Sequence, residues 1–237
     1  MHRLVNYLIV IGDYNFFDIV KLLDEVEDIE RFRISSIEPN LLTDEIIEFV
    51  AKSKRFMPHF HIPLQSGSDK MLKLMQRRYK SDLYQSRVKK IKAEMPHACI
   101  GVDVIVGFPS ETDDDFLDTY NFINSLDVSY LHVFSYSERQ NTKAIEIENP
   151  VPMPIRNERN AMLRTLSEKK RRHFYNQFIG QTRKVLLEEE QKAAIMHGFT
   201  DNYIKVSVLF DKEKVNQIAT VVLNNFDEAG NVEATII

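Results

Sequence analysis

Polar side chains gather at the ends of apolar runs, and those ends are where this sequence could do chemistry. Four groups stand out: Ser35, Ser36 and Glu38; His61, Gln65 and Ser66; Asp103 with Glu111; and Tyr136, Ser137 and Arg139. Asp103 is the most telling, because it interrupts the apolar run from Ala98 to Val106. A carboxylate in such a run must be paired or hydrogen-bonded, and Arg33 and Arg139 are candidate partners. His61, between Phe60 and Ile62, suits a ligand contact and a satisfied core imidazole equally. Glu38 precedes Pro39 and could cap a turn, and Glu111 could start a helix. Carboxylates, an imidazole, an amide and a guanidinium together describe a polar ligand-binding mouth. They do not describe a chemical engine. No Ser–His–Asp arrangement is assignable, so no residue receives a catalytic role. No His/Cys cluster has metal-ligand spacing, and neither the phosphate loop nor G-x-G-x-x-G occurs.

The elements that must position these residues read as alternating strands and helices. Val5 to Ile11 suits a buried strand ending at Gly12-Asp13. Phe16, Ile19, Val20, Leu23 and Val26 recur at helical spacing. Phe32, Ile34 and Ser36 alternate as a strand that Glu38-Pro39-Asn40 closes. Thr43 is placed to cap the next helix, with Asp44 and Glu45 in its first turn and Leu42 and Ile47 as a hydrophobic staple. A strand of about five residues then meets the turn Gln65-Ser66-Gly67-Ser68, and Ser68 caps the following helix. Ser81 is the expected cap of a helix carrying Leu83, Val88 and Ile91. Ala98 to Val106 predicts a strand covered on both faces. Thr112-Asp113-Asp114-Asp115 predicts an acidic capping box, and Tyr130 to Tyr136 another strand.

Repeated strand–turn–helix units make an α/β fold with a parallel sheet and right-handed crossovers. An open doubly wound sheet and a partial β/α barrel both fit. In a barrel the polar strand ends would converge on one mouth. Pro150, Pro152 and Pro154 mark a boundary, and residues 155–178 read as one long helix. Beyond Gly180, Arg183 to Glu188, Tyr203 to Phe210 and Ile218 to Leu223 are β-rich, with turns expected at Gly198, Asp201-Asn202 and Ala229-Gly230-Asn231. That predicts a small all-β barrel. The expected units are therefore 1–150, a basic connecting helix at 151–178, and a β-module at 179–237.

Composition narrows the setting. No apolar run approaches the ~20 residues of a membrane-spanning helix, and the N-terminus lacks a signal-peptide pattern. Cys99 is the only cysteine. It excludes a disulfide framework, points to a cytoplasmic location, and cannot hold an iron–sulfur cluster alone. The net charge of −4 hides a local excess: residues 151–178 carry 7 Lys/Arg against 2 acids, whereas 179–237 carry 6 against 9. Arg164, Lys169, Lys170, Arg171 and Arg172 form the positive stretch, which suits a solvated helix face or a phosphate-backbone contact.

Five longer motifs appear in order: Arg33-Ile34-Ser35-Ser36-Ile37-Glu38-Pro39; His61-Ile62-Pro63-Leu64-Gln65-Ser66-Gly67-Ser68; Met75-Gln76-Arg77-Arg78-Tyr79; Asp103 to Pro109; and Phe134-Ser135-Tyr136-Ser137-Glu138-Arg139. In this order and at this spacing they resemble the radical S-adenosylmethionine methylthiotransferases. The wording resembles most the bacterial tRNA enzymes that methylthiolate N6-threonylcarbamoyladenosine next to the anticodon.

The resemblance implies a partial radical S-adenosylmethionine β/α barrel followed by a TRAM domain, a small β-barrel that helps hold RNA. It places Gln65 and Ser66 near the cofactor's sugar or methionine part. Ile105, Val106 and Gly107 would present backbone to its adenine, and Glu38, Asp103 and Arg139 would line the pocket. It implies a reaction in which a [4Fe–4S] cluster reduces S-adenosylmethionine to a 5′-deoxyadenosyl radical and a methylthio group is inserted at an adenine carbon. The departures are as informative. The family's cluster-binding C-x-x-x-C-x-x-C loop and its cysteine-bearing amino-terminal domain are absent from this sequence. The chain thus reads as the C-terminal portion of such an enzyme, inactive alone. Two alternatives stay open: a relative acting on a ribosomal-protein aspartate, and a non-catalytic RNA-binding remnant. Ser110 and Asn141 stand where relatives carry glycine, and Asn tolerates a left-handed backbone best after glycine.

Overall fold

The computed structural model describes residues 15–188 and 194–237. The expected strand from Val5 to Ile11, with its Gly12-Asp13 turn, lies outside the described residues. Within them, helix starts follow the capping chemistry of the sequence. Asn15 caps α1 (Phe16–Asp24), Thr43 caps α2 (Asp44–Lys52) and Ser68 caps α3 (Asp69–Leu74). Thr112 and Asp115 form a reciprocal capping box at α5 (Asp113–Ser125). Leu42 and Ile47 are fully buried, as a staple requires. One expected cap differs. α4 (Ser81–Glu94) starts after Lys80, and Ser81 instead donates its backbone N–H to Asp69 Oδ1 at 2.9 Å.

Four strands, β1 (Phe32–Ile34), β2 (Phe56–Gln65), β3 (Cys99–Val106) and β4 (Tyr130–Ser135), form one parallel sheet in the order β1-β2-β3-β4. A doubly wound sheet reverses its strand order at a switch point. This sheet does not, so the strands follow one another as in a barrel wall. Side chains alternate with the pleat. Phe60, Ile62, Leu64, Val102, Val104 and Val106 are fully buried in the core shared with the helices. Their neighbours, including His61, Asp103 and Ile105, face the other way and stay partly accessible. β2 is twice the expected length because pairing continues through Pro58 to Phe56. Proline lacks the N–H a ladder needs, and the register with β3 shifts between Pro63 and Gln65.

β4 ends the sheet, and an uncovered edge invites aberrant pairing. Helix α6 (Met153–Asn176) lies along it. Ser167 Oγ accepts from Leu131 N–H at 2.8 Å and donates to Leu131 C=O at 3.0 Å. Asn160 Nδ2 donates to Ser135 Oγ at 3.2 Å. Side chains of α6 thereby replace a missing strand.

Residues beyond α6 form a closed barrel, β5-β6-β7-β9-β8, from β5 (Thr182–Glu188), β6 (Ile195–Thr200), β7 (Lys205–Leu209), β8 (Ile218–Phe226) and β9 (Val232–Ile236). Two strands were not anticipated, β6 and β9. Gly198 was expected in a turn but lies inside β6. A side chain there would collide with the Leu186 carbonyl of β5, so the glycine permits close backbone approach.

The barrel docks under the beginnings of the parallel strands. Tyr203 stacks on His59 with ring centroids 4.0 Å apart, and the Arg33 guanidinium lies 4.5 Å above the same ring. Arg31 donates to the carbonyls of Phe199 and Lys184, and Asn202 Nδ2 to the His97 carbonyl. Cys99 is buried in the second core, which joins the barrel to Phe174, Tyr175 and Phe178.

His59 is buried in this interface, 3.0 Å from Tyr130 Oη. Burial chiefly, with Arg33 nearby, pushes its pKa from 6.5 to about 3. The unfolded imidazole therefore binds a proton that the folded one refuses between those values. Its contribution is fully present above pH 6.5 and is lost as pH falls toward 3, by at most about 1.4 kcal/mol per pH unit. Urea denaturation from pH 7 to 4 is expected to show this slope, and His59→Phe to flatten it.

Candidate functional site

With helices on one face and the β-barrel under the strand beginnings, the described residues leave the upper part of the second face open. Three side chains from successive strands meet there. His61 Nε2 and Asp103 Oδ1 are 2.7 Å apart, and the His132 ring lies 5.3 Å from that of His61. Ligand atoms of His61, Asp103 and His132 all fall within 4.8 Å of one another. Asp103 thus finds its partner in His61. Arg33 and Arg139 do not serve: Arg33 is spent on Tyr203, and Arg139 is exposed. The sequence offered no metal-spaced cluster because these residues are far apart in the chain. The sheet register brings them together, with Asp103 opposite His132 and Pro63. Burial, reinforced by His61, lowers the pKa of His132. His132 was missed, although its place between Leu131 and Val133 in an alternating strand signals an outward polar position.

Above this group lies the C-terminal edge, where parallel sheets bind ligands. Glu38, after β1, receives Arg77 Nη1 at 3.3 Å. Three buried polar atoms along the edge have no partner among the described residues: Asn40 Oδ1, Arg77 Nε and Tyr136 Oη. Gln65 sits at φ 70, a left-handed conformation costly for a side-chain-bearing residue. Ile105 faces the open side, whereas Val106 is fully buried and its carbonyl accepts from Tyr136 N–H at 2.9 Å.

The turn after β2 is locked from beneath. Ser66 is fully buried, and its hydroxyl pairs with Thr119 Oγ1 at 2.9 Å. The same Thr119 oxygen accepts from Gly67 N–H at 3.0 Å. Ser68 Oγ donates to Asp115 Oδ1 at 3.0 Å. Burial pushes the Asp115 carboxyl up, but hydrogen bonds from Lys70, Thr112 and Ser68 outweigh it and hold the pKa at about 2. The hydroxyl of Ser66 is thus structural, and the whole residue is buried.

A second lock holds the turn after β3. Gly107 takes φ 73, and a side chain there would strike Arg156. Its N–H donates to Glu111 Oε2 at 2.7 Å, and the same oxygen receives Arg159 Nη1 at 2.6 Å. Arg156 donates to the carbonyls of Val151 and Tyr136 and to Glu138. Both arginines are buried, at 3% and 4% exposure, so the basic excess of 151–178 is partly internal. Ser110 and Asn141 adopt φ 65 and 63, the conformation glycine would take.

The basic stretch of α6 divides. Arg164, Lys169 and Arg172 are exposed, and Arg172 also lies 4.7 Å over Phe226. Arg164 and Arg171 line a groove of about 530 Å³ with His132 and Phe134. Lys170 departs from the expected phosphate contact. Its ammonium donates to the carbonyls of Asn124 and Leu126, closing the end of α5.

The family model described as the Radical SAM superfamily matches residues 2–123. The threonylcarbamoyladenosine tRNA methylthiotransferase MtaB of Bacillus subtilis is 39% identical over 214 residues, covering 88% of this chain and 48% of that protein. The tRNA-2-methylthio-N(6)-dimethylallyladenosine synthase of Endomicrobium trichonymphae is 37% identical, covering 86% of this chain and 49% of that protein. The chain spans about half the length of the curated relatives it matches. Among solved structures, coproporphyrinogen III oxidase (HemN) of Escherichia coli aligns with a TM-score of 0.46 at 16% identity, covering 64% of this chain and 34% of that one.

The Glu111–Arg159 pair is nearly inaccessible, with side chains 1% and 5% exposed. Removing one partner of such a pair leaves a buried uncompensated charge, at a cost of about 3–5 kcal/mol. Arg159→Ala is expected to lose stability of this size in chemical denaturation, whereas neutralising exposed Lys169 changes it by less than about 0.5 kcal/mol.

Proposed function

We propose, from the premise that the chain belongs to the Radical SAM superfamily, that it forms the S-adenosylmethionine- and RNA-binding portion of a tRNA methylthiotransferase. In this reading residues 1–150 are a partial radical S-adenosylmethionine barrel, 151–178 a connecting helix, and 179–237 a TRAM-like barrel. The RNA substrate is tRNA carrying N6-threonylcarbamoyladenosine beside the anticodon, as the name of the Bacillus subtilis relative suggests.

One observation supports the cofactor assignment most. Buried polar atoms without a partner among the described residues occur after β1 (Asn40 Oδ1), after α3 (Arg77 Nε) and after β4 (Tyr136 Oη). A ligand with an amino acid at one end and a nucleoside at the other suits a polar edge of this kind. Glu38 and Asp103 carry the negative charge that suits an ammonium and a sulfonium. Gln65 and Ser66 border the same edge, as do Ile105, Val106 and Gly107, and Gly107 is held open by Glu111. Arg139 is free to meet a carboxylate. When bound, S-adenosylmethionine supplies the radical initiator and the methyl group of this reaction class. The chain's own part is to bind and orient it, and to keep His61 hydrogen-bonded to Asp103 beside it.

The residues present do not fit an iron–sulfur cluster. Such clusters need several thiolates. Cys99 is the one cysteine in the sequence, and its side chain is buried beneath the sheet, far from the mouth in the fold. Burial raises its thiol to about 12, so it stays protonated at neutral pH. The chain alone is therefore a binding unit.

Calorimetric titration of the full chain with S-adenosylmethionine tests the assignment. Saturable one-site binding is expected, weakened at least 10-fold by Asp103→Ala and unchanged by Lys143→Ala. After reconstitution with iron and sulfide, no 5′-deoxyadenosine is expected. Absence of S-adenosylmethionine binding would defeat the cofactor assignment, and appearance of 5′-deoxyadenosine the claim of a binding unit.

A further inference from the structure

Between α3 and α4 the surface carries a cleft of about 530 Å³, lined by Lys70, Lys73, Arg77, Arg78, Tyr79 and Lys80, with Asp69 its single acid. Its shape follows from the way α3 stops. Arg77 N–H donates to the Leu72 carbonyl at 2.9 Å and Gln76 N–H to the Lys73 carbonyl at 3.0 Å, with Gln76 at φ 56. That pairing is a Schellman turn, which reverses the chain and returns Arg77 and Arg78 beside Lys73. Tyr79 Oη then donates to the carbonyls of Pro63 and Leu64, anchoring the returning segment to β2. Backbone bonds and a buried tyrosine fix the frame, and the cations are displayed on it.

The charge of this cleft is not that of an ordinary solvated face. On α4 nearby, cations meet carboxylates: Arg87 contacts Asp44, and Lys90 contacts Glu48 and Glu94. In the cleft, Lys70 is held by Asp115 at 2.6 Å and Arg77 by Glu38 at 3.3 Å. Asp69 accepts from Ser81 N–H. Lys73, Arg78 and Lys80 are exposed and have no ion pair among the described residues. The whole chain is net negative. Three uncompensated cations crowded on a rigid frame repel one another, and a polyanion relieves that repulsion.

The position of the cleft says which polyanion. It adjoins the mouth: Arg77 belongs to both through Glu38, and Lys70 binds the aspartate that holds Ser68. We propose that this cleft grips the phosphate backbone of the RNA substrate, on the side of the mouth opposite α6. The inference rests on the RNA reading above. α6 flanks β4 and the cleft follows β2, so an RNA strand laid across the mouth meets cations on both sides. Lysine and arginine without a base-reading groove position a strand and carry no sequence preference.

The test uses the full chain, unmodified tRNA, and binding titrations between 50 and 200 mM salt. Each phosphate neutralised contributes about 0.9 to the slope of log affinity against log salt. The triple variant Lys73→Gln, Arg78→Gln, Lys80→Gln is expected to reduce that slope by about 2–3 and to weaken binding roughly 100-fold at 0.1 M salt, with thermal unfolding unchanged. Photo-crosslinking of the bound RNA is expected to label the peptide spanning residues 69–80. If the unaltered chain binds tRNA and the triple variant matches it in affinity and slope, the cleft is not the contact, while the RNA reading stands. If the unaltered chain binds no tRNA, the RNA reading fails and the cleft inference with it.

Discussion

Parallel strands added in one direction by right-handed crossovers receive their helices on one face, and the second face must be covered by something else. That constraint organises this molecule. The β-barrel covers the second face only at the strand beginnings, through Tyr203, Phe199 and Asn202 against His59, Tyr130, Arg33 and His97. The upper part, with His61, Asp103 and His132, is left uncovered by the described residues. A sheet covered completely would have no site, and one left bare would expose too much surface to stay soluble. The docking of the barrel therefore decides where the mouth lies as well as how the second face is shielded.

The edge of the sheet poses the same problem in its backbone. Among the described residues β4 has no strand beyond it, and α6 meets its backbone with Ser167 and its end with Asn160. The helix also carries Arg156 and Arg159, which hold the turns at Gly107 and Tyr136. A single element closes the sheet, fixes the loops of the mouth, and presents Arg164, Lys169 and Arg172 to solvent. The inner arginines bind the loops, and the outer cations face solvent.

The turns that frame the mouth share a device. Gln65 at the end of β2, Gln76 at the end of α3, and Gly107 and Ser110 in the loop after β3 take positive φ. Strained backbone persists only where surroundings over-determine it. Here the surroundings are buried polar locks: Ser66 and Gly67 on Thr119, Gly107 on Glu111 and Arg159, and Tyr79 on Pro63 and Leu64. Rigid loops of this kind pre-organise a binding edge, at the cost of burying groups that could have met solvent.

Local chemistry was legible in the sequence because it depends on neighbours in the chain. The caps at Thr43, Ser68 and Thr112, the alternation through Asp103, the turns at Asp201-Asn202 and Gly230, and the left-handed Asn141 all follow from adjacent residues. So does the lack of cluster ligands, which needs only a count of cysteines. Features that depend on register or docking were not legible. The partner of Asp103, the role of Gly198 and the extra strands β6 and β9 depend on which segments lie side by side, and a one-dimensional pattern does not hold that information. The same applies to charge. The run from Arg164 to Arg172 looked like one basic surface, yet Lys170 folds back onto carbonyls. Lys70 and Lys73 on α3 and Arg78 and Lys80 after it become one cleft when the Schellman turn reverses the chain. Composition and spacing determined which chemistries were present or missing, and the tertiary fold decided which of them face one another.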